Sequence, residues 1–140
     1  MTGLAIVAGL IVVAVLVVVY LKMRQSDQLK ALMDKRRNGA KLVSRAEYVE
    51  GAEVMPVAIA LTADTFYYEN ADLEASFDLN RIDEIEYSDE LMTGKTHGED
   101  SRVLRLRSHG TTFEYLIEKN ESKKWEATLP PKTYGVARAV

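Results

Sequence analysis

The pattern of apolar and polar positions changes sharply near residue 22. Residues 4–21, LAIVAGLIVVAVLVVVYL, contain no charged or amide side chain, and their only hydroxyl is the phenol of Tyr20. A helix that crosses the hydrocarbon core of a bilayer needs about 20 such residues, with a lower limit of about 17. The stretch also lacks the polar stripe of a helix packed on a soluble core. We therefore predict a transmembrane helix over residues 1–22, whose membrane-embedded residues include Leu4, Gly9, Leu16 and Leu21.

The two ends of this stretch favour an uncleaved anchor over a secretory signal. A signal peptide begins with basic residues, has about 7–15 apolar residues and ends at a cleavage site with small side chains. Here residues 1–3 carry no Lys or Arg, and the apolar stretch ends in the sequence YLKMR at residues 20–24. A cleaved signal and a buried core helix are the alternatives to an anchor.

The charges that follow the apolar stretch predict its orientation. Residues 22–45 hold eight Lys or Arg and two Asp, a net charge of +6, whereas residues 1–21 hold no charged side chain. Positive flanks within about 15–20 residues of a span stay in the cytoplasm. We predict a single-pass protein of the inner (plasma) membrane, with the N-terminus outside and the C-terminal domain cytoplasmic. A secreted or extracytoplasmic domain is the alternative, and it would violate this rule.

The basic segment, residues 23–41, is predicted to be a juxtamembrane helix or linker. A helix continuing from Lys22 to Asn38 would place on one face the residues Leu29, Leu32, Met33 and Arg36. Asn38-Gly39 is a typical helix stop, and basic residues in the last turn complement the helix dipole. Those last-turn residues, Lys35, Arg36 and Arg37, are candidates for binding anionic lipid headgroups, at about 1 kcal/mol each near a surface. The alternative is that they only fix the topology.

From Val54 onward the apolar positions alternate with a period of two, which is typical of strands. Val57, Ile59 and Leu61 alternate with small residues, and further strands are predicted near residues 65–69, 74–78, 82–87, 102–107 and 111–118. Residues 88–101 form a long polar loop. The predicted fold class is mainly β (α+β). A transmembrane helix precedes a small antiparallel barrel or sandwich over residues 42–130, closed by a short C-terminal helix, and residues 131–140 form a disordered tail.

The most specific prediction concerns a hairpin around Ser108-His109-Gly110. If His109 and Gly110 form a two-residue turn, Arg105 faces Glu114 on one side of the ladder. On the other side, Leu106 faces Phe113 and Leu104 faces Tyr115. One face is then apolar and the other pairs opposite charges, a consistency that a shift of one residue would destroy.

After this hairpin the sequence predicts a short helix from about Glu121 to Leu129. Asn120 is a suitable N-cap, and Glu121 lies favourably in the first turn. Trp125 and Leu129 share one face, and Pro130-Pro131 ends the helix. We expect Trp125 to plug the open end of the sheet.

Consecutive antiparallel strands closed by a helix with a Trp resemble the pleckstrin-homology-like (PH-like) superfold. Residues 61–68, LTADTFYY, look like a hairpin of GRAM and bacterial PH-like domains. Phe77, Leu79, Ile82 and Ile85 look like the segment that follows it. The resemblance covers residues 42–130 and implies an interaction module that offers a peptide a sheet edge or the groove beside the closing helix. The chain departs from phosphoinositide-binding members in the turn at Ala63-Asp64, which lacks Lys and Arg, and its closing helix is short.

The amino-acid composition excludes several kinds of functional site and partner. The chain has no Cys, which excludes disulfides, thiolate metal sites and Cys nucleophiles. Residues 46–140 hold ten Lys or Arg against nineteen Asp or Glu, a net charge of −9, so a nucleic-acid partner is not expected. His97 lies among acidic residues, but its spacing matches no metal-ligand motif, and His109 reads as a turn residue.

No catalytic or cofactor-binding motif is visible, so we expect no enzymatic activity, no metal and no cofactor. The sequence predicts a membrane-anchored module that binds a protein partner in a membrane complex. The alternative is an anionic-lipid sensor that uses its polybasic linker.

Overall fold

One long helix, one antiparallel sheet and one short helix make up residues 2–133, the part of the chain that the computed structural model describes. The two helices are α1 (Thr2–Arg37) and α2 (Lys119–Thr128). The strands are β1 (Leu42–Glu50), β2 (Glu53–Leu61), β3 (Thr65–Glu69), β4 (Glu74–Asp78), β5 (Glu84–Ser88), β6 (Ser101–Ser108) and β7 (Thr111–Glu118). Residues 134–140 of the predicted disordered tail lie outside the described residues.

Helix α1 runs without a break through the predicted membrane boundary. Its 36 residues correspond to a length of about 54 Å at 1.5 Å per residue. Within residues 2–133 it is the one helix long and apolar enough to cross a membrane, and its most apolar window has a mean hydropathy of 3.2 with no buried residue. Gly39 N donates to the carbonyl of Arg36, so the helix ends at the predicted Asn38-Gly39 stop.

The seven strands form a single sheet in the order β4-β3-β2-β1-β7-β6-β5, and every neighbouring pair is antiparallel. The predicted α+β class is therefore confirmed, with the correction that the sheet is not closed into a barrel. Closure would need a ladder between β4 and β5, and within residues 2–133 these two edge strands, connected in the chain by a short 3-10 helix (Leu79–Arg81), form none. The free edge of β5 instead pairs with Lys132 through two backbone hydrogen bonds at Ile85.

Strand β1, at the centre of the sheet, was not among the predicted strands. It pairs with β2 from Leu42↔Leu61 to Glu50↔Glu53 and with β7 from Ala46↔Ile117 to Val49↔Glu114. Its residues facing the core are Ser44, Ala46 and Tyr48. Two of these three side chains are small, so the alternation of β1 carries little hydrophobic signal.

The core lies on one face of the sheet and is dominated by aromatic rings. Tyr48, Tyr68 and Tyr115 form a triangle with ring centroids 5.1–5.4 Å apart. Trp125 of α2 is fully buried and meets the ring of Phe66 edge-on at 5.8 Å, so it is part of this core. The indole Nε1 of Trp125 donates to Ser44 Oγ at 2.9 Å, which satisfies the buried indole.

The β6–β7 hairpin has the predicted register. Arg105 pairs with Glu114, Leu106 with Phe113 and Leu104 with Tyr115. His109 and Gly110 occupy the turn with φ of 51° and 79°, as a two-residue type I′ turn requires. Arg105 Nη2 lies 3.0 Å from Glu114 Oε2 on the polar side, and Leu104 and Leu106 are fully buried on the other.

The start of α2 differs from the prediction. The helix begins at Lys119 with Glu118 as N-cap, and no side-chain capping hydrogen bond forms, so Asn120 is not the N-cap. Lys119 N donates to the carbonyl of Asp100 at 2.8 Å, which satisfies one of the first N–H groups of the helix. The predicted tail also differs at its first residues, since Lys132 is bound to β5.

Candidate functional site

The C-terminal half of α1 packs on the sheet face opposite to the core, which we call the outer face. A row of residues crosses this face from strand to strand: Arg45 pairs with Ala58, Ala58 with Glu69, and Glu69 with Glu74. Helix α1 follows the row. Ser26 meets Arg45 at one end, and Arg36 meets Glu69 and Glu74 at the other. The helix therefore crosses strands β1 to β4 rather than running along one of them.

Small side chains under α1 let the helix approach the strands. Ala58 and Ala60 of β2 are buried on the outer face, and each is 2% exposed. Leu29 of α1 is 1% exposed, whereas the residues of the preceding apolar stretch are exposed throughout. The predicted apolar face of the juxtamembrane helix therefore has a partner, and the small residues that alternate in β2 accommodate it.

Arg36 holds the end of the helix in place. Its Nε donates to Glu69 Oε1 at 2.8 Å and its Nη2 to Glu69 Oε2 at 3.2 Å, the bidentate geometry of a strong ion pair. The guanidinium also lies 4.1 Å from the centroid of the Tyr67 ring, and Nη2 lies 3.7 Å from Glu74 Oε1. The hydrogen bond to Glu69 raises the pKa of Arg36. Every charged partner of Arg36 thus belongs to the β domain.

The other two predicted headgroup residues, Lys35 and Arg37, are exposed on α1. Arg37 Nη1 lies 3.6 Å from Asp34 Oδ1, a surface pair one turn away. Measured along the helix, residues 35–37 lie about 21–24 Å beyond Leu21. Electrostatic attraction to a membrane surface decays over about 8 Å at physiological ionic strength. The three basic residues therefore lie at the end of α1 far from the apolar stretch, and only Arg36 contacts the sheet.

The fold brings a different basic residue close to that stretch. Arg45 Nη1 donates to Ser26 Oγ at 3.3 Å, and Ser26 follows Leu21 by five residues, or about 7.5 Å along the helix. The four predicted membrane-embedded residues Leu4, Gly9, Leu16 and Leu21 are all exposed. No sequence pattern indicated the approach of Arg45 to α1, because it depends on β1, which was not predicted.

The loop of residues 89–100 covers the part of the outer face formed by β6 and β7. Leu91 packs on Val103 and Leu116, with Val49 beside them, as a small apolar cluster separate from the main core. His97 holds the two ends of the loop together. Its Nε2 donates to the carbonyl of Asp89 at 2.6 Å, and its Nδ1 lies 2.6 Å from Ser101 Oγ. His97 thus has a structural role in the loop.

A groove of about 570 Å³ lies on the outer face between Arg45 and this loop. Its floor is apolar and is formed by Val54, Leu91 and Leu116. Four acidic side chains line it, namely Glu47, Glu99, Asp100 and Glu118, and its basic side chains are Arg45 and Lys95. Within residues 2–133 none of the four acids has an ion-pair partner. The sequence analysis indicated no protein-binding site at these residues.

Arg105, on the polar side of the β6–β7 hairpin, forms ion pairs with two neighbouring acids. Its guanidinium donates to Glu86 Oε2 at 2.9 Å as well as to Glu114. Burial lowers the pKa of Arg105, but the hydrogen bonds to Glu86 and Glu114 outweigh this effect and leave the pKa raised. In the described part of the chain no group of three or more His, Asp or Glu is arranged to hold a metal ion.

The sequence matches no protein-family model and no curated protein at a significant level.

Proposed function

We propose that this protein is a membrane-anchored, non-enzymatic interaction module that binds a protein partner within a membrane complex. The apolar half of α1 serves as its single transmembrane anchor, and the β domain lies on the cytoplasmic side of the inner (plasma) membrane. One observation carries the proposal: the helix that can cross a membrane continues unbroken into the helix that packs on the sheet. An anchor built in this way presents the domain at one height and in one orientation.

The contacts along α1 support a rigid connection. A flexible linker between a span and a domain would be rich in Gly and Ser and would make no contact with the sheet. Here the contacts begin at Ser26 and end at Arg36. Only about one helical turn, residues 22–25, separates the apolar stretch from the docked part of the helix. Such a module suits a partner that is itself held in the membrane.

The PH-like identity of the domain is part of this proposal. Two features support it: consecutive antiparallel strands over residues 42–118, and a closing helix that buries Trp125 in the core. PH-like domains are interaction modules, which fits a role in partner binding. The open sheet and the ten-residue α2 are departures from the predicted closed fold.

The position of the basic residues favours a protein partner over the alternative of a lipid sensor. Arg36 is engaged by Glu69, and Lys35 and Arg37 lie more than two Debye lengths along the helix from the predicted membrane boundary. Lipid sensing would also require the domain to move relative to the bilayer. The docked helix opposes such movement, because lifting it would expose Leu29 and separate the ion pair of Arg36.

The topology is tested with single cysteines, since the chain has none. Thr96→Cys lies in the exposed loop, and Thr2→Cys lies at the other end of the span. With a membrane-impermeant maleimide, we expect intact cells to label Thr2→Cys, whereas Thr96→Cys labels only after lysis. The reverse pattern would place the domain outside and overturn the proposal.

The lipid alternative is tested by distance. A donor fluorophore on Thr96→Cys and an acceptor lipid in reconstituted vesicles report the height of the domain above the bilayer. We expect the same energy transfer in phosphatidylcholine vesicles, in vesicles that also contain phosphatidylserine, and at high salt. A height that depends on anionic lipid and salt would support the lipid sensor instead.

Partner binding is tested by cross-linking in cells before detergent extraction. The proposal expects a partner recovered in a fixed stoichiometry with the full chain. The Arg36→Gln variant keeps the span and the domain but weakens their connection. Less of the partner should therefore be recovered with this variant than with the natural chain. Recovery of the protein alone after efficient cross-linking would contradict the proposed function.

A further inference from the structure

The acid-lined groove on the outer face lies where α1 leaves the domain. Arg45 lines the groove and donates to Ser26, the first docked residue of α1. Arg36 lies over β3 and β4, whereas Ser26 lies over β1. Followed from Ser26 toward the N-terminus, the helix therefore continues past β1 on the side of β7. The groove formed by β1, β7 and the 89–100 loop is therefore the part of the outer face nearest to the predicted membrane boundary.

The charge of the groove has the same sign as that of an anionic bilayer and is opposite to that of the chain's own basic linker. Its four carboxylates outnumber its two basic side chains, Arg45 and Lys95. Glu47 projects from β1 and Glu118 from the end of β7, and both are exposed. The apolar part of the lining includes Leu116, which pairs with Glu47, and Val54 on the other side of β1, which is 42% exposed. The groove thus combines an uncompensated negative rim with accessible apolar surface.

We propose that this groove binds the basic, partly apolar segment that flanks a transmembrane helix of a partner protein. This inference rests on the proposed function and names the chemical class of the partner. Cytoplasmic segments next to membrane spans carry an excess of Lys and Arg. Such a segment of a neighbouring membrane protein runs at the height of the groove, and its basic side chains match the acidic rim. Apolar residues between them contact Val54 and Leu116.

The experiment measures the binding of a fluorescent probe peptide to the full chain in phosphatidylcholine nanodiscs, with empty nanodiscs as baseline. The peptide consists of Arg and Ser with a central pair of Leu, and a control peptide carries Gln in place of every Arg. We expect only the Arg peptide to bind, with an affinity that falls as salt rises. Binding of both peptides, or of neither, would overturn the inference.

Two double variants locate the binding. In Glu47→Gln/Glu118→Gln the groove loses two negative charges. We expect about tenfold weaker binding, because each charge contributes one surface ion pair and the effects of the two on the affinity multiply. The matched control Glu53→Gln/Asp72→Asn removes two exposed acids elsewhere and should leave the affinity unchanged. Equal weakening by both variants would show attraction by net charge alone and overturn the site.

The outcome separates this inference from the proposed function. A stoichiometric cross-linked partner together with no effect of the groove variant on peptide binding would retain the proposed function and reject the groove. A loss of the cross-linked partner in Glu47→Gln/Glu118→Gln, but not in Glu53→Gln/Asp72→Asn, would support both.

Discussion

The guanidinium of Arg36 and the carboxylate of Glu69 form a bidentate ion pair that joins the helix carrying the apolar stretch to the β domain, with Nε–Oε1 at 2.8 Å and Nη2–Oε2 at 3.2 Å. Glu69 is 4% exposed, so Arg36 takes the place of most of the water that would otherwise solvate this carboxylate. A buried carboxylate left without its cation is more costly than the pair itself is stabilising. The pair therefore fixes the position of the helix more than it adds to net stability.

Arg36→Gln should lower the free energy of unfolding of the domain by about 2 kcal/mol, because it leaves Glu69 buried with an incomplete partner. The control Arg37→Gln, which removes an exposed residue of the same helix turn, should change it by about 0.5 kcal/mol or less. Urea unfolding of the detergent-solubilised full chain, followed by Trp125 fluorescence, measures both. Equal effects of the two variants would contradict the assigned role of Arg36.

Ala58→Leu should separate the helix from the sheet. Ala58 is buried under α1, and three added carbons there force the helix outward at a cost of about 1–3 kcal/mol. The control Ala63→Leu adds the same atoms at an exposed turn and should be nearly neutral. Hydrogen exchange of residues 26–36 should become faster in Ala58→Leu alone. Unchanged protection in that variant would mean that α1 does not pack on β2.

Removing the hydroxyl from two buried tyrosines should change the stability of the domain in opposite directions. The Tyr115 hydroxyl is buried and has no hydrogen-bond partner among the described residues, so Tyr115→Phe should stabilise the domain by about 1 kcal/mol. The Tyr87 hydroxyl donates to the carbonyl of Leu129 at 2.8 Å, so Tyr87→Phe should destabilise it by a similar amount. Thermal unfolding of the two variants side by side measures the signs. A Tyr115→Phe variant less stable than the natural chain would reveal a partner for that hydroxyl.

Stability should decline in alkaline solution. Burial raises the pKa of Tyr48 from 10.0 to about 12, and burial also raises the pKa of Tyr68, Tyr87 and Tyr115. Above about pH 10 the unfolded chain releases phenol protons that the folded chain keeps, so the free energy of unfolding falls as pH rises through 12. Urea midpoints from about pH 8 to 11 measure this fall. Tyr48→Phe should make it shallower, and a midpoint independent of pH would contradict the burial of the phenols.

The turn of the β6–β7 hairpin should be sensitive to a side chain. Gly110 has a φ of 79°, where an L-residue is strained, so Gly110→Ala should cost about 1 kcal/mol. Gly98 lies in the polar loop, and a Cβ there would meet only Ser101 Oγ at 3.9 Å, so Gly98→Ala should be tolerated. Equilibrium unfolding distinguishes the two variants. Equal stability of both would indicate that the turn relaxes without strain.

Local patterns in the sequence determined several elements of this protein. The uninterrupted apolar stretch indicates a helix long enough to span a membrane. Within a bilayer, a helix is the structure in which a single segment satisfies its own backbone hydrogen bonds. The register of the β6–β7 hairpin follows from His109-Gly110 and from the pairing of Arg105 with Glu114. These features depend on neighbours close in the chain, whose spacing the sequence displays directly.

Only the tertiary structure decided how these elements meet. Strand β1 could not be predicted, because Ser44 and Ala46 face the core without a hydrophobic signal, and the same strand brings Arg45 to α1. The open sheet, the docking of Leu29 and the ion pair between Arg36 and Glu69 join residues far apart in the chain. Residues 35–37 show why: a run of basic side chains looks uniform in sequence, but the packing of α1 turns only Arg36 toward the sheet. Charge and spacing determine what a residue can bind, whereas the fold determines which partner lies within reach.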